Sequence, residues 1–301
     1  MYSASERLGN SFRTFALLGA LTSLLLLIGL VVGGTGGIVL FALIAVAFNF
    51  AMYWFSGPMA LKMSRAREVS AEEEPELHRM VAELAMRAKV PMPKVYVTPA
   101  EQPNAFATGR NPANAAVAVT EGIQRALTPR ELEGVIAHEM AHIANRDILI
   151  ASIAAMVAGA VSAIVNFLQF SLLFGGGDDE SPLGLVGTLA AIILAPIAAV
   201  VIQMAISRQR EYRADAVGAE LLGDPDPLAD ALVRLHRGAE VVPMQVNQAS
   251  APLYIVNPLA GGGGRRLGGL FSTHPPMEER VARLRGMSVG ASYARPGYGS
   301  I

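Results

Sequence analysis

The sequence predicts a mainly α-helical membrane protein, with four membrane-spanning helices in two hairpins and a non-membrane part that adds a small β-sheet. Two observations predict this fold class. Of the 301 residues, 52% are hydrophobic and only 16% are charged, which is too apolar for an ordinary soluble domain. The apolar residues are also concentrated in long uncharged segments, each able to cross the hydrocarbon core of a bilayer, which is about 30 Å thick.

The charge balance and the lack of cysteine exclude several functions. The 24 lysines and arginines nearly balance the 25 aspartates and glutamates, so the net charge is −1 and there is no basic field for nucleic acid. Because there is no cysteine, disulfides, thiolate zinc ligands, iron–sulfur clusters and thiol nucleophiles are all excluded. Any metal site must therefore use histidine and carboxylate.

The first predicted hairpin follows from a long stretch without charge. No charged residue occurs between Arg13 and Lys62, and glycine-rich residues 33–37 divide this stretch into spans 15–32 and 38–55. A cleaved signal peptide is the competing interpretation. It is disfavoured because its apolar region would be shorter and a second span would not follow directly.

The second predicted hairpin has spans 148–174 and 183–206, joined by the polar loop 175–182. A buried helix pair of a soluble core is the alternative, but each segment exceeds the roughly ten to fourteen apolar residues of such helices. Neither hairpin tip contains lysine or arginine, and basic residues flank the opposite ends of the spans. The positive-inside rule therefore predicts a multi-pass protein of the cytoplasmic membrane, with both termini in the cytoplasm.

This topology predicts four parts and one assembled cytoplasmic domain. Short extended segments between residues 94 and 119 predict a small sheet beside helices. The glycine-rich stretch 261–269 lacks the Lys-Ser/Thr of a phosphate-binding loop, so no nucleotide site is expected. The parts are the first hairpin (1–55), a cytoplasmic segment (56–147), the second hairpin (148–206) and a second cytoplasmic segment (207–301).

A capped helix carries the most informative motif of the chain. Thr128 and Glu131 have the spacing of a capping box and predict the start of this helix. The helix then contains the pattern H-E-x-x-H at His138, Glu139 and His142. Residues i and i+4 share a helix face, so both imidazoles can reach one zinc ion while Glu139 approaches a water on the metal.

Glu211 is the predicted third zinc ligand. The last span can continue as one helix beyond Ile206, because glycine and proline are absent there. At about 1.5 Å per residue, Glu211 then lies roughly 7.5 Å beyond Ile206, while His142 lies roughly 9 Å before Ile148. Asp215 shares the face of Glu211 and can accept the free ring N–H of a ligating histidine. A surface pair of carboxylates is the alternative.

At these motifs the sequence resembles the HtpX-type membrane zinc endopeptidases, relatives of the CaaX prenyl proteases. The resemblance covers most of the chain, and the four-span layout is similar as well. It implies a cytoplasmic α+β metalloprotease domain of the gluzincin type. The matching segments are 104–109, 138–142, 211–215 and 272–276 followed by 278–280.

The resemblance implies roles for the motif residues. One zinc ion per chain would be bound by His138, His142 and Glu211. Glu139 would act as general base and then as general acid. Asp215 would support a ligating histidine.

The resemblance also implies roles that spacing does not reveal. His274 and Arg280 match positions near the scissile carbonyl, where they would stabilise an oxyanion. Asn104, Ala105 and Phe106 match an edge strand to which the substrate backbone pairs by strand addition. Without the resemblance, His274 is a loop histidine and Arg280 is a base on a helix surface.

The predicted function is zinc-dependent hydrolysis of peptide bonds at the cytoplasmic membrane surface. Membrane proteins and unfolded polypeptides are the expected substrates. The resemblance implies a role in quality control, and the missing nucleotide motif predicts cleavage without ATP. A CaaX-type prenyl protease is one alternative, for which four spans look too few. A non-catalytic zinc scaffold is another, against which the non-ligand Glu139 argues. A transporter is disfavoured because the predicted ligands lie outside the apolar segments.

Overall fold

The computed structural model describes residues 4–157, 208–241, 255 and 275–293. Most of the second predicted hairpin lies outside the described residues. Within them, a four-stranded sheet is combined with helices. In chain order the elements are α1 (Ala4–Met63), β1 (Arg67–Glu68), α2 (Pro75–Ala88), β2 (Lys94–Thr98), β3 (Ala105–Gly109), β4 (Ala115–Thr120), α3 (Glu121–Ala126), α4 (Pro129–Asn145), α5 (Ile148–Val157), α6 (Arg208–Leu222), α7 (Asp226–Val241) and α8 (Met277–Tyr293).

Helix α1 is broken at the first glycines of the segment that was expected to separate two spans. Gly33 and Gly34 leave the helical conformation, and Gly34 has a φ of +57°, which glycine adopts without a steric penalty. The two halves contact each other, since the Asn49 side-chain amide donates a hydrogen bond to the Thr22 hydroxyl over 2.7 Å. The chain therefore reverses at this glycine pair.

One described helix is by itself long and apolar enough to cross a membrane. This is the second half of α1, the 31 residues Gly33–Met63. Its large apolar side chains are exposed in the isolated chain, among them Val39, Leu43 and Val46. Apolar side chains that face outward along a whole helix are typical of contact with lipid.

The sheet has the order β1-β2-β4-β3, so β3 lies at its edge. Strands β2 and β4 are parallel, whereas β3 and β4 are antiparallel. The Thr120 N–H donates to the Asn104 carbonyl, and hydrogen-bonded pairs alternate along an antiparallel ladder. The backbone groups of Ala105, Ala107 and Gly109 therefore face away from β4.

Helix α4 forms the centre of the core, between the sheet and helices α2, α6 and α7. Glycine allows two of these neighbours to approach its backbone closely. A Cβ atom at Gly218 of α6 would lie 3.0 Å from the backbone nitrogen of His138, and one at Gly134 would lie 2.8 Å from that of Leu228 in α7. Close packing of α6 on α4 brings two sequence-distant segments to one site.

Helix α5 follows α4 after a sharp bend of 96°. The bend is made by Arg146, whose φ of 62° lies in the left-handed region. The ten residues of α5 are the described beginning of the third predicted span. They pack against both halves of α1, with Ile150 and Ile153 next to Leu21 and Met52.

Candidate metal centre

The start of α4 is fixed by the predicted capping box. The Thr128 hydroxyl accepts a hydrogen bond from the Glu131 N–H, and the Glu131 carboxylate accepts one from the Thr128 N–H over 2.7 Å. Arg234 of α7 also contacts this carboxylate, at 2.9 Å. The helix that carries the H-E-x-x-H motif therefore begins where the sequence predicts.

His138, His142 and Glu211 converge on one point, each offering one ligand atom within 4.8 Å of the others. The two Nε2 atoms lie 3.0 Å apart, and the Glu211 carboxylate oxygens lie 3.7 and 3.8 Å from them. Tetrahedral zinc with bonds of about 2.0–2.1 Å would hold its ligand atoms about 3.4 Å apart. The three side chains therefore fit a metal ion of this size.

Glu139 lies beside these ligands but is not one of them. Its side chain is buried, and burial raises the pKa of the carboxyl even though His138 and His142 lower it. The backbone N–H of Ala107, on the edge strand β3, donates a hydrogen bond to the carboxylate. Glu139 thus connects the metal centre with the edge of the sheet.

His138 is supported from behind by a buried ion pair. Its Nδ1 lies 2.9 Å from the Asp215 carboxylate. Arg280 donates two hydrogen bonds to the same carboxylate, over 2.6 and 2.8 Å. Burial alone would raise the pKa of Asp215, but the Arg280 charge and hydrogen bonds outweigh burial and lower the pKa to about 2.

Arg280 lies behind the ligands rather than on an open surface. Its side chain is 0% exposed, and its remaining described hydrogen bond goes to the Ile255 carbonyl over 3.3 Å. These contacts indicate that Arg280 holds Asp215 in place. An oxyanion role for Arg280 stays a prediction, and so does the role of His274, which lies outside the described residues.

His142 has a carboxylate partner that sequence reasoning did not find. Its Nδ1 lies 3.1 Å from the Asp147 carboxylate. Asp147 comes five residues later, which is not a helical spacing, so periodicity gave no signal for it. The left-handed Arg146 turns the chain back so that Asp147 faces the ring. The only indication of this contact in the sequence was that Asp147 directly precedes an apolar segment.

The Asp147 carboxylate affects the charge state of His142. Burial alone would lower the pKa of His142, but Asp147, Glu211 and Glu139 outweigh burial and raise it to about 10. The same negative charges favour a cation at the ring's other nitrogen. The electrostatics of the site therefore suit a metal ion.

The three residues predicted to bind substrate lie at or next to the edge strand. The Asn104 side chain accepts a hydrogen bond from the Ala105 N–H, and the Ala105 carbonyl accepts one from the Ile255 N–H. Phe106 is buried in a small apolar cluster with Ala60, Ala118 and Ala155, separate from the core around α4. Substrate binding by these residues stays a prediction. The backbone position next to Glu139 is Ala107, which was not among them.

A helix that presents two histidines and a non-ligand glutamate, completed by a glutamate from a neighbouring helix, defines a metallopeptidase site. Residues 71–288 match the model of peptidase family M48. The chain belongs to this family and is a metalloprotease.

The chain is similar to curated proteins over nearly its whole length. It is 54% identical to the "Protease HtpX homolog" of Persephonella marina over 93% of this chain and 98% of that protein. It is 51% identical to the "Protease HtpX homolog" of Ralstonia nicotianae over 94% and 99% of the two chains. Among solved structures, the crystal structure of S. mikatae Ste24p matches with a TM-score of 0.48 and 17% identity, over 94% of this chain and 67% of that chain.

Proposed function

We propose that this metalloprotease is a zinc-dependent endopeptidase of the cytoplasmic membrane. It hydrolyses peptide bonds of misfolded or damaged membrane proteins at the cytoplasmic surface, without ATP. The observation that carries this proposal is the position of Glu139, buried beside three convergent ligands and hydrogen-bonded to the edge strand. A purely structural metal site has no use for a buried carboxylate that is not a ligand.

His138, His142 and Glu211 would hold the zinc ion. When bound, zinc would polarise the peptide carbonyl and lower the pKa of a coordinated water towards neutrality. Glu139 takes the proton of the attacking water and delivers it to the leaving amine.

The edge strand would hold the substrate. An extended polypeptide that pairs with β3 lies next to Glu139, because the outward-facing Ala107 contacts that carboxylate. Backbone pairing does not depend on side chains, so selectivity would be broad. This property suits an enzyme that removes damaged proteins of many sequences.

The membrane location is supported by α1 and by the junction of α4 and α5. Gly33–Met63 can cross a bilayer. Towards the C-terminal end of this helix, the Arg110 guanidinium lies 4.3 Å from the centre of the Trp54 ring, a pairing that suits a membrane–water interface. Helix α5 begins six residues after His142, so the metal would lie close to the membrane surface. The lack of lysine and arginine at both hairpin tips supports cytoplasmic termini and a cytoplasmic site.

The experiment that tests this proposal is casein degradation by the full-length protein in detergent, with zinc added and bound zinc measured. Glu139→Gln should lose about 10²- to 10⁴-fold in activity while it keeps its zinc, because it removes the general base and no ligand. Glu133→Gln is the matched control. It changes the same residue type on the same helix, at a position that is partly exposed.

Two results would count against the proposal. If wild type and Glu139→Gln both bind zinc and neither cleaves casein, the general endopeptidase activity is wrong. A parallel assay with a prenylated peptide then decides whether a CaaX-type activity takes its place. If Glu139→Gln loses its zinc together with activity, Glu139 is needed for zinc binding and its assignment as a residue that is not a ligand is wrong.

A further inference from the structure

We infer that Asp147 is a positioning residue of the metal centre, which orients the zinc ligand His142 from the first residue before a membrane helix. This inference rests on the proposed zinc site and adds a residue to it. Because Asp147 directly precedes α5, it also connects the metal centre to that helix.

The contacts of Asp147 occupy both of its carboxylate oxygens. Oδ1 lies 3.1 Å from the His142 Nδ1, and Oδ2 accepts a hydrogen bond of 3.1 Å from the Asn145 side chain. The guanidinium of Arg210, one residue before the third ligand on α6, lies 3.8 Å from Oδ2. Asp147 is 2% exposed, so water does not compete effectively for these contacts.

This geometry decides which nitrogen of His142 is available to a metal. A carboxylate at Nδ1 favours the tautomer that carries its proton there and leaves the Nε2 lone pair free. The His142 Nε2 is the atom that faces His138 and Glu211. Asp147 thus fixes both the rotation of the ring and the atom that it presents.

The position of Asp147 depends on the bend between the two helices. Its backbone N–H donates to the carbonyl of His142, over 3.3 Å, and its own carbonyl accepts from the N–H of Ala151 in α5. Asp147 therefore lies at the C-terminal end of α4 and at the N-terminal end of α5. A displacement of α5 would move the carboxylate that holds the ring.

A simpler role has to be separated from this one. Aspartate is a favoured residue at the position before a helix, and Asp147 could serve only to begin α5. Serine and asparagine are equally good at such positions. Asparagine can also accept a hydrogen bond from a ring N–H, whereas serine is too short to reach it. The two substitutions therefore separate helix capping from ring orientation.

The experiment measures zinc affinity by competition with a chelator, for full-length protein in detergent, and the thermal midpoint of the metal-free form. Asp147→Ser should weaken zinc binding about 10- to 100-fold, which is typical for loss of a partner behind a ligand. Its metal-free thermal midpoint should stay near that of wild type. Asp147→Asn should lose less affinity, because it keeps the hydrogen bond and loses the charge. Asp226→Ser, at the start of α7, is the matched control and should bind zinc like wild type.

Three results would overturn the inference. Zinc affinity of Asp147→Ser equal to that of wild type would show that His142 does not need this partner. Equal losses of zinc affinity in Asp147→Ser and Asp147→Asn would show that the site needs the charge of Asp147 and not its hydrogen bond to the His142 ring. If wild type itself bound no zinc, the proposed function would fail first and this inference with it.

Discussion

The two histidines of the metal centre are held by different regions of the molecule. His138 is supported by Asp215 and Arg280, which lie on α6 and α8. His142 is supported by Asp147, which lies at the junction with α5. One side is fixed by a buried ion pair between helices distant in sequence, and the other by a local reversal of the chain. The two sides should therefore respond differently to substitution.

The largest effect is expected on the ion-pair side. Arg280→Met leaves the Asp215 carboxylate buried without its partner, which should cost about 3–5 kcal/mol of unfolding free energy. Denaturant unfolding of the purified protein measures this. Arg285→Met, on the same helix, removes two exposed ion pairs, with Asp226 and Asp230, and should cost less than about 1 kcal/mol. Equal losses in the two variants would contradict a special role for the buried pair.

The other side of the metal centre, where His142 lies near the junction with α5, can be tested at Ser152 of α5. Its buried hydroxyl contacts the Thr108 hydroxyl at 2.7 Å and accepts a hydrogen bond from the Gly109 N–H. Ser152→Ala leaves that N–H unsatisfied, so we expect a loss of about 1–3 kcal/mol and a higher KM for casein. The matched control is Ser56→Ala, since the buried Ser56 hydroxyl has no hydrogen-bond partner among the described residues. An unchanged KM in Ser152→Ala would show that the contact between α5 and the edge strand does not affect substrate binding.

The packing of α6 on α4 belongs to the ion-pair side and predicts a smaller effect. In Gly218→Ala the new methyl group would meet the backbone of His138 at 3.0 Å. We expect a net loss of about 1–2 kcal/mol, because the strain is partly offset by the higher helix propensity of alanine. Zinc affinity should fall as well, since Glu211 moves with α6. Gly238→Ala meets only the Pro103 side chain, at 3.4 Å, and should be tolerated.

The smallest effect is expected at the start of α4, the helix that carries both histidines. Burial raises the pKa of Glu131, but the hydrogen bonds from Thr128 and Arg234 outweigh it and lower the pKa. The stabilisation from its carboxylate is present above the unfolded pKa, about 4.3, and is lost as the pH falls through the folded value. Glu131→Gln should thus cost about 0.5–1 kcal/mol at pH 7 and almost nothing once the pH has fallen below the lowered pKa of the folded state. A cost that is independent of pH would contradict this origin.

The features that the sequence predicts correctly are local or periodic. The capping box at Thr128 depends on a spacing of three residues. The shared face of His138 and His142 depends on a spacing of four. Glu211 was predicted from helix rise, and the structure brings it close to both histidines. The straight rise assumed between His142 and Ile148 was wrong, because the chain bends by 96° there. The role of Glu211 as a zinc ligand stays a prediction.

The features that were missed depend on backbone reversals and on contacts between distant segments. Asp147 reaches His142 only because Arg146 adopts a left-handed conformation, which no pattern of polar and apolar residues encodes. The partnership of Arg280 with Asp215 joins residues 65 positions apart. The outward position of Ala107 depends on the phase of the β3–β4 ladder, which the Asn104–Thr120 pair determines.

The short edge strand has a consequence for what the enzyme can recognise. Ser152 and Ile255 already engage backbone groups at its two ends, Gly109 and Ala105, and the Ala107 N–H between them donates to Glu139. This leaves the Ala107 carbonyl as the outward group for a substrate. A substrate needs only a few residues in extended form to reach Glu139, but their own backbone groups must be unpaired. A polypeptide in an intact helix or sheet does not meet that condition. With the proposed function, the protease would select polypeptides that have lost their secondary structure, whatever their amino-acid sequence.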